Sequence, residues 1–228
     1  LKEYSEKLIK NEYSKIHKIY ELEKLKEKDK FIKDIEHDIE MFQELIESVD
    51  ELQLVNDDPK LKCLITNIKK SLQKEPKRKI VIFSEYVDTI KYLQPKIEKI
   101  FGNRVLTIAG TLNNSLTEKI YKNFDASYKD QDDDYDILLT SDKLSEGVNL
   151  NRAGMVINYD IPWNPVRVIQ RVGRINRISK KVFDKLYIIN FFPTEIGSDY
   201  VKSREIAASK MLLIHNAIGE DAQIFDID

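Results

Sequence analysis

The feature that most constrains this chain is an alternation that begins after Pro76. Five short apolar runs, KIVIF (79–83), VLTIA (105–109), DILLT (136–140), MVINY (155–159) and LYIINFF (186–192), are rich in β-branched residues and are separated by stretches of helical periodicity. Each run is largely apolar instead of alternating with polar residues, the mark of a strand buried on both faces. Strands of that kind alternating with helices imply an α/β domain, a parallel sheet covered by helices on each side. Such sheets bind ligands beyond the carboxyl ends of their strands, so chemistry is expected in the residues that follow each run. Helices are predicted over 88–101 and 115–124, the second opened by a capping box of Ser115 and Glu118. A last helix is predicted over 198–216, stopping near Gly219.

Residues 1–57 contain no glycine or proline, and apolar residues recur every three or four positions: Phe31, Ile35, Ile39, Phe42, Leu45, Val49, Leu52. This predicts an α-helical extension, either a hairpin bent at 24–30 or a single coiled-coil helix. The division expected is therefore 1–57 for the extension and 58–228 for the α/β domain, with Pro59 at the start of a short helix. The letters Asp50-Glu51-Leu52-Gln53 resemble an acidic magnesium box, but they lie in a helical pattern and not at a strand end, so that reading is excluded.

The formal charge of −2 excludes a uniformly basic nucleic-acid binder, and any anion must be held by a local patch. The acidic run from Asp130 to Asp136 is expected to be a solvated loop without chemistry. One cysteine, Cys63, excludes an internal disulfide, and His17, His37 and His215 lack zinc spacing, so no metal site is expected. No run is long enough to cross a membrane and no signal-like segment is apparent. A cytoplasmic location without a membrane partner is expected. The chain opens on Leu1 and not methionine, which suggests a piece of a longer protein.

Of the 37 basic residues only eight are arginine, yet Arg167, Arg171, Arg174 and Arg177 fall close together, with no acidic residue between Asp160 and Asp184. Asn164 is a favoured N-cap and Pro165 a favoured first residue, so a helix is predicted over 165–178. Projected at 100° per residue, the four arginines form one stripe and Val168, Ile169, Val172 and Ile175 form the other. An ordinary amphipathic surface helix could carry such a pattern. Against that, like charges three and four apart each cost roughly 0.2–0.5 kcal/mol, and Gly173 inside the helix costs about 1 kcal/mol relative to alanine. Together they point to an anion and a close backbone approach beside the stripe. Arginine in place of lysine suits bidentate recognition of phosphate oxygens.

The spacing Gln170-Arg171-x-Gly173-Arg174-x-x-Arg177 resembles motif VI of superfamily-two helicases, and the preceding NYDIPWNP resembles the Swi/Snf and RapA-like branch of DNA translocases. TSDKLSEGVNL (140–150) is similar to motif V, IVIFSEY to motif IV and AGTLNN to the neighbouring DNA-contact motif; the likeness covers 58–195 in the family's order. It implies a RecA-like second lobe that uses ATP with Mg²⁺. By this resemblance Arg174 and Arg177 are arginine fingers toward the γ-phosphate, Gln170 orients the site, Arg171 supports the interface and Gly173 lies beside it. Glu146, Gly147 and Asn149 face the nucleotide, and Asp160 lies near the interdomain cleft. Ser84, Tyr86, Gly110, Thr111, Thr140 and Ser141 are expected on the nucleic-acid side, their hydroxyls positioned for phosphate contacts that carry no sequence information. Trp163 is expected to be a core or interface anchor.

No G-x-x-x-x-G-K-[ST] loop occurs, and no strand is followed by an acidic magnesium box. The phosphate loop and the Mg²⁺ ligands are therefore expected on an upstream RecA-like lobe, which is the first expected partner. Duplex DNA, in preference to single-stranded DNA, is the second. An RNA helicase lobe is an alternative, disfavoured by YDIPWNP; a non-enzymatic module binding nucleic acid or protein through the helical arm is another.

Overall fold

The run KIVIF becomes the central strand of a five-stranded sheet, and its position explains why residues 80–83 are all apolar. A computed structural model describes residues 25–53, 56–110, 112–144, 147–162, 164–176 and 182–192, together with residue 205. Contacts within the chain divide it into two compact units, Leu1–Asp58 and Pro59–Asp228.

The first unit contributes α1, Lys28–Glu51, a helix of 24 residues with no buried residue. Phe31, Ile35, Ile39, Phe42, Leu45 and Val49 lie along it at spacings of three and four, and each is more than 40% exposed. Residues 1–24, where the first arm of a hairpin is expected, lie outside the described residues.

In the second unit the order along the chain is α2 (Pro59–Lys74), β1 (Lys79–Ser84), α3 (Val87–Phe101), β2 (Val105–Ile108), α4 (Asn114–Phe124), β3 (Ile137–Ser141), β4 (Ala153–Asn158), α5 (Pro165–Ile175) and β5 (Tyr187–Asn190). The strands lie side by side as β2-β3-β1-β4-β5, and every neighbouring pair is parallel. Alternation along β1 builds two cores. Ile80 and Ile82 pack with Leu64 and Ile68 of α2 and Ile90, Leu93 and Ile97 of α3. Val81 and Phe83 pack on the other side with Ile120 and Phe124 of α4 and Ile175 of α5. Two covered faces leave no position for a polar side chain in the middle of the strand.

Two boundaries differ from the sequence reading. The cap of α4 is Asn113, whose Oδ1 accepts from the Leu116 N–H at 2.8 Å, so Ser115 lies inside the first turn. Asparagine caps as well as serine, and Asn113 already has the extended backbone a cap requires, so the helix starts before the predicted capping box. The arginine helix stops at Ile175, with Asn176 leaving helical geometry at ψ 81°. Asparagine competes for backbone hydrogen bonds outside helices, which favours a terminus there. The predicted helix over 198–216 falls outside the described residues, apart from Glu205.

The acidic run is exposed from Asp130 to Asp134, as expected of a solvated loop, and it also carries ion pairs. At the amino ends of the strands, Asp133 pairs with Lys79 at 3.0 Å and with Arg152 at 2.5 Å. Arg104 forks onto Asp136 through Nε and Nη2 at 2.7 and 2.5 Å. The like charges are tolerated because basic residues introducing β1, β2 and β4 converge on them. A nearby glycine is required for packing. A Cβ on Gly154 would fall 2.5 Å from Nη1 of the buried Arg78, which donates to the Gly154 and Lys185 carbonyls and so holds the β5 edge.

Partial burial tends to raise Asp133, but its hydrogen bond and charge contacts with Lys79, joined by Arg152, win and hold it below the usual carboxylate range. Burial pushes Lys79 down, and Asp133 offsets this only in part. An attraction that dominated would lower the acid and raise the base. Here both fall, so desolvation of Lys79 consumes much of what the pair gains. The depressed Asp133 contributes stability above its unfolded pKa of about 3.9, and that contribution is lost as pH falls through the folded value. Lys79 acts in the alkaline window with the opposite sense, its penalty lifting as pH rises through its folded value. Because Asp133 is three-quarters exposed, Asp133→Asn should cost about 1 kcal/mol or less at pH 7. Urea unfolding curves of the parent and variant should converge as pH is lowered below the carboxylate range.

Candidate nucleotide and nucleic-acid site

The sheet order places β1 between β3 and β4, and the connections leaving β1 and β4 run to opposite sides. That reversal opens a crevice at the carboxyl ends, the general ligand position of open α/β sheets. Ser84, Ser141 and Asn158 end the three strands that border it.

Helix α5 lies against β4 and sends Arg171 to this crevice. Asn164 caps it, its side chain accepting from the Val166 N–H at 3.1 Å, and Pro165 occupies the first turn. Val168, Val172 and Ile175 are buried. Arg171 is buried with them, at 0% exposure. Its Nε and Nη2 fork onto Asp142 at 2.5 and 2.9 Å, and its Nη1 donates to Asn158 Oδ1 at 3.0 Å and to the Asp160 carbonyl at 3.1 Å. The guanidinium also lies 5.3 Å from the Phe83 ring centroid. Asn158 in turn donates to Asn190 of β5 at 2.7 Å. The Asp160 carboxylate accepts from the Glu85 N–H at 2.7 Å and from the Ser84 hydroxyl. One buried cation thus ties together the ends of β1, β3, β4 and β5.

This corrects the sequence reading of Arg171 as a member of an anion-facing stripe. Projection places it near Arg167 and Arg174, but neighbouring elements bring four acceptors to it, and its donors are spent inside the domain. The missing acidic residues between Asp160 and Asp184 are supplied in space. Arg167, at 44% side-chain exposure, reaches Glu85 at 3.2 Å and Asp142 at 3.3 Å. Arg174 is half-buried, and its carbonyl accepts from the Leu150 N–H at 2.9 Å, which fastens α5 to the chain after Gly147. Gly147 has φ +87°, a left-handed value that any other residue would adopt only with strain. Asn149 and Gln170 are half-buried.

Among the described residues none makes the close approach expected at Gly173. A Cβ there would meet nothing within 4 Å. On the nucleic-acid side, Tyr86 is 62% exposed and Gly110 is exposed. Ser84, Thr140 and Ser141 are buried, contrary to the expectation of direct phosphate contacts. The Ser84 hydroxyl donates to Asp160, and the Thr140 hydroxyl donates to the Ser141 carbonyl at 3.3 Å. These hydroxyls shape the crevice floor because their strands end beneath the turns that cover them. Thr111, Glu146, Trp163 and Arg177 lie outside the described residues.

Asp142, Asn158 and Glu85 are the residues that sequence reasoning missed. A signal existed for two of them. Asn158 is a polar residue inside an otherwise apolar strand run, and Asp142 directly follows a strand end, where a buried arginine would find its carboxylate.

A five-stranded parallel sheet of this order, with a buried-arginine helix across its carboxyl ends, defines a RecA-like domain. In the crystal structure of the C-terminal part of the Fun30 ATPase domain the same fold is found, with a TM-score of 0.50, 21% identity and coverage of 63% of this chain and 43% of that one. Residues 59–179, just over half of the chain, match the family described as the helicase conserved C-terminal domain, and the chain belongs to that family. Over 142 residues it is 27% identical to the uncharacterized ATP-dependent helicase YqhH of Bacillus subtilis strain 168, covering 62% of this chain and 23% of that protein. Over 134 residues it is 28% identical to the SNF2 domain-containing protein CLASSY 4 of Arabidopsis thaliana, covering 57% and 12%. The matched stretches span less than a quarter of these relatives. No described helix is long and apolar enough to cross a membrane.

The two arginines that share Asp142 should respond differently to truncation. Arg171→Ala leaves a carboxylate buried without its fork and should destabilise the chain by about 3–5 kcal/mol. Arg167→Ala removes longer, exposed contacts and should cost at most about 1 kcal/mol. Denaturant titration of both variants checks the contrast.

Proposed function

We propose that this chain is the second motor lobe of an ATP-dependent DNA translocase or helicase. It completes an ATP site whose phosphate loop and Mg²⁺ ligands lie on an upstream lobe, and it works in the cytoplasm. The observation that carries this reading is α5 itself. The helix is locked to the domain by Arg171 and an apolar face, and Gly173 and Arg174 follow Arg171 within one turn of it. A rigid base beneath Arg174 is what an arginine finger needs, because a preorganised cation stabilises transferring phosphoryl charge without reorganising during the reaction.

In this reading Arg174 and Arg177 supply cationic donors to the γ-phosphate side of ATP, and Gln170 orients the site with them. Glu146, Gly147 and Asn149 line the nucleotide side, with Asp160 holding the adjoining loop. The open space beside Gly173 accommodates the backbone of the other lobe. Tyr86, Gly110 and Thr111 form the surface toward duplex DNA. Support comes from the family match and from relatives named as an ATP-dependent helicase and an SNF2-domain protein.

The test uses the intact motor. Arg174→Ala should lower nucleic-acid-stimulated ATP turnover by about 10³-fold or more, the scale of arginine-finger losses, with a smaller change in KM for ATP. Unchanged turnover would favour a non-enzymatic binding module. Comparing stimulation by duplex DNA, single-stranded DNA and RNA separates the DNA reading from an RNA helicase. Gly173→Ala gives an independent check. It should stabilise this chain by up to about 1 kcal/mol through helix propensity, yet reduce ATP turnover of the intact motor by crowding the lobe interface.

A further inference from the structure

We propose that the apolar face of α1 is a docking surface for this chain's own residues 2–24, which fold back along it as a basic amphipathic helix. Helix α1 has no buried residue, and Phe31, Ile35, Phe42, Leu45, Ile46 and Val49 are each at least 41% exposed. Projected at 100° per residue they form one arc, a continuous apolar stripe of the kind that marks an interaction surface. Between Phe31 and Val49 the only charged residue inside the arc is Asp38.

The start of α1 shows from which side a cover arrives. Lys26 and Glu27 form a turn, and Glu27 has φ −126° and ψ 56°, so no single helix runs through residues 25–30. That break rules out the straight helix and leaves the bent form of the extension. Leu25 is half-buried and lines a concavity at the turn together with Phe31, so the chain reaches α1 on the side that carries the stripe. The residues before the turn are numerous enough to run the whole of this 24-residue helix, about 36 Å at 1.5 Å per residue.

Charge selects the occupant. From Glu36 to Glu51 α1 carries seven acidic residues and no lysine or arginine, whereas Lys28, Lys30 and Lys33 lie at its start. Residues 7–20 carry the opposite sign, Lys7, Lys10, Lys15 and Lys18 against Glu12, and Glu21 and Glu23 follow them. Ile9, Tyr13, Ile16 and Tyr20 recur there at spacings of four, three and four, the period of a second apolar stripe. Folding back about the turn sets the lysines beside the acidic stretch, Glu21 and Glu23 beside Lys30 and Lys33, and Lys15 level with Asp38. A second copy of α1 matches poorly. Side by side in the same direction acid faces acid throughout, and reversed, Glu36, Asp38 and Glu40 still face their own acidic stretch. A segment joined by a short turn also meets the face at an effective concentration on the order of millimolar, which a separate copy does not.

Two spin labels measure the arm directly. In the full chain carrying Cys63→Ser, labels at Asn11→Cys and Gln43→Cys occupy uncharged positions outside both stripes and are level with each other when the arm is folded. Packed helices lie 8–10 Å apart, so the expected separation with the labels is roughly 20 Å. A helix running straight from one position to the other gives about 48 Å. The longer separation would overturn the proposal. So would a short one seen only when singly labelled chains are mixed, because the cover would then be another copy.

Charge reversal tests what the face selects. Glu36→Lys/Asp38→Lys/Glu47→Lys should lengthen the separation, and adding Lys10→Glu/Lys15→Glu to the same chain should shorten it again. A reversal that merely unfolded α1 would not be rescued in this way. A separation indifferent to the first three substitutions would overturn the proposal that the face takes a basic segment.

Discussion

Burying a guanidinium is expensive, and the carboxyl end of this domain is organised around meeting that demand. An arginine removed from water must find acceptors for its fork, and a carboxylate must balance its charge. Arg171 obtains the carboxylate from the turn after β3, an amide oxygen from β4 and a carbonyl from the residue at which the chain leaves β4. None of these is near it in sequence. The pair is therefore available only once β3, β1 and β4 are aligned in parallel register, and it reports the correct assembly of the sheet as well as stabilising it.

The amino end of the same sheet solves a superficially similar problem in another way. There Lys79, Arg104 and Arg152 meet Asp133 and Asp136, but the acidic partners sit in a solvated loop. Solvent screens the attraction, and the desolvation of Lys79 offsets part of it. Such a clamp tolerates replacement of its members and responds to salt and acid. The carboxyl-end network is centred on the buried Arg171 and is directional and shared, so loss of that arginine removes the fork on Asp142 and the bonds to Asn158 and Asp160 together.

Much of the fold was legible in the sequence, because continuous apolar runs alternating with helical periodicity admit few architectures. The strands, the helices that cover them and the Asn164-Pro165 start of α5 were readable from local pattern alone. The site was legible as a location and less so in its parts. A strand-end hydroxyl looks the same in sequence whether it faces solvent or the crevice floor. Ser84, Thr140 and Ser141 were therefore assigned outward and lie inward. Helical projection assigns a side chain an angle but cannot show what another element places at that angle. For that reason Arg171 was grouped with its neighbours on the stripe. The ion pairs of the solvated acidic run were not readable, since their counter-charges enter from three strand starts far apart in the chain.

One helix thus carries arginines in graded environments, and the gradient has a physical logic. Arg171 is wholly buried and fully engaged, Arg167 is nearly half exposed and held by longer contacts, and Arg174 lies between them in burial. Arg171 commits four of its five N–H donors to the domain, which stiffens the helix on which Arg174 follows three positions further on. Gly173 stands between the two, at a place where the described residues leave room for a side chain and the sequence provides none. Local stability alone would favour alanine there by about 1 kcal/mol, so the packing of the described residues does not account for the glycine.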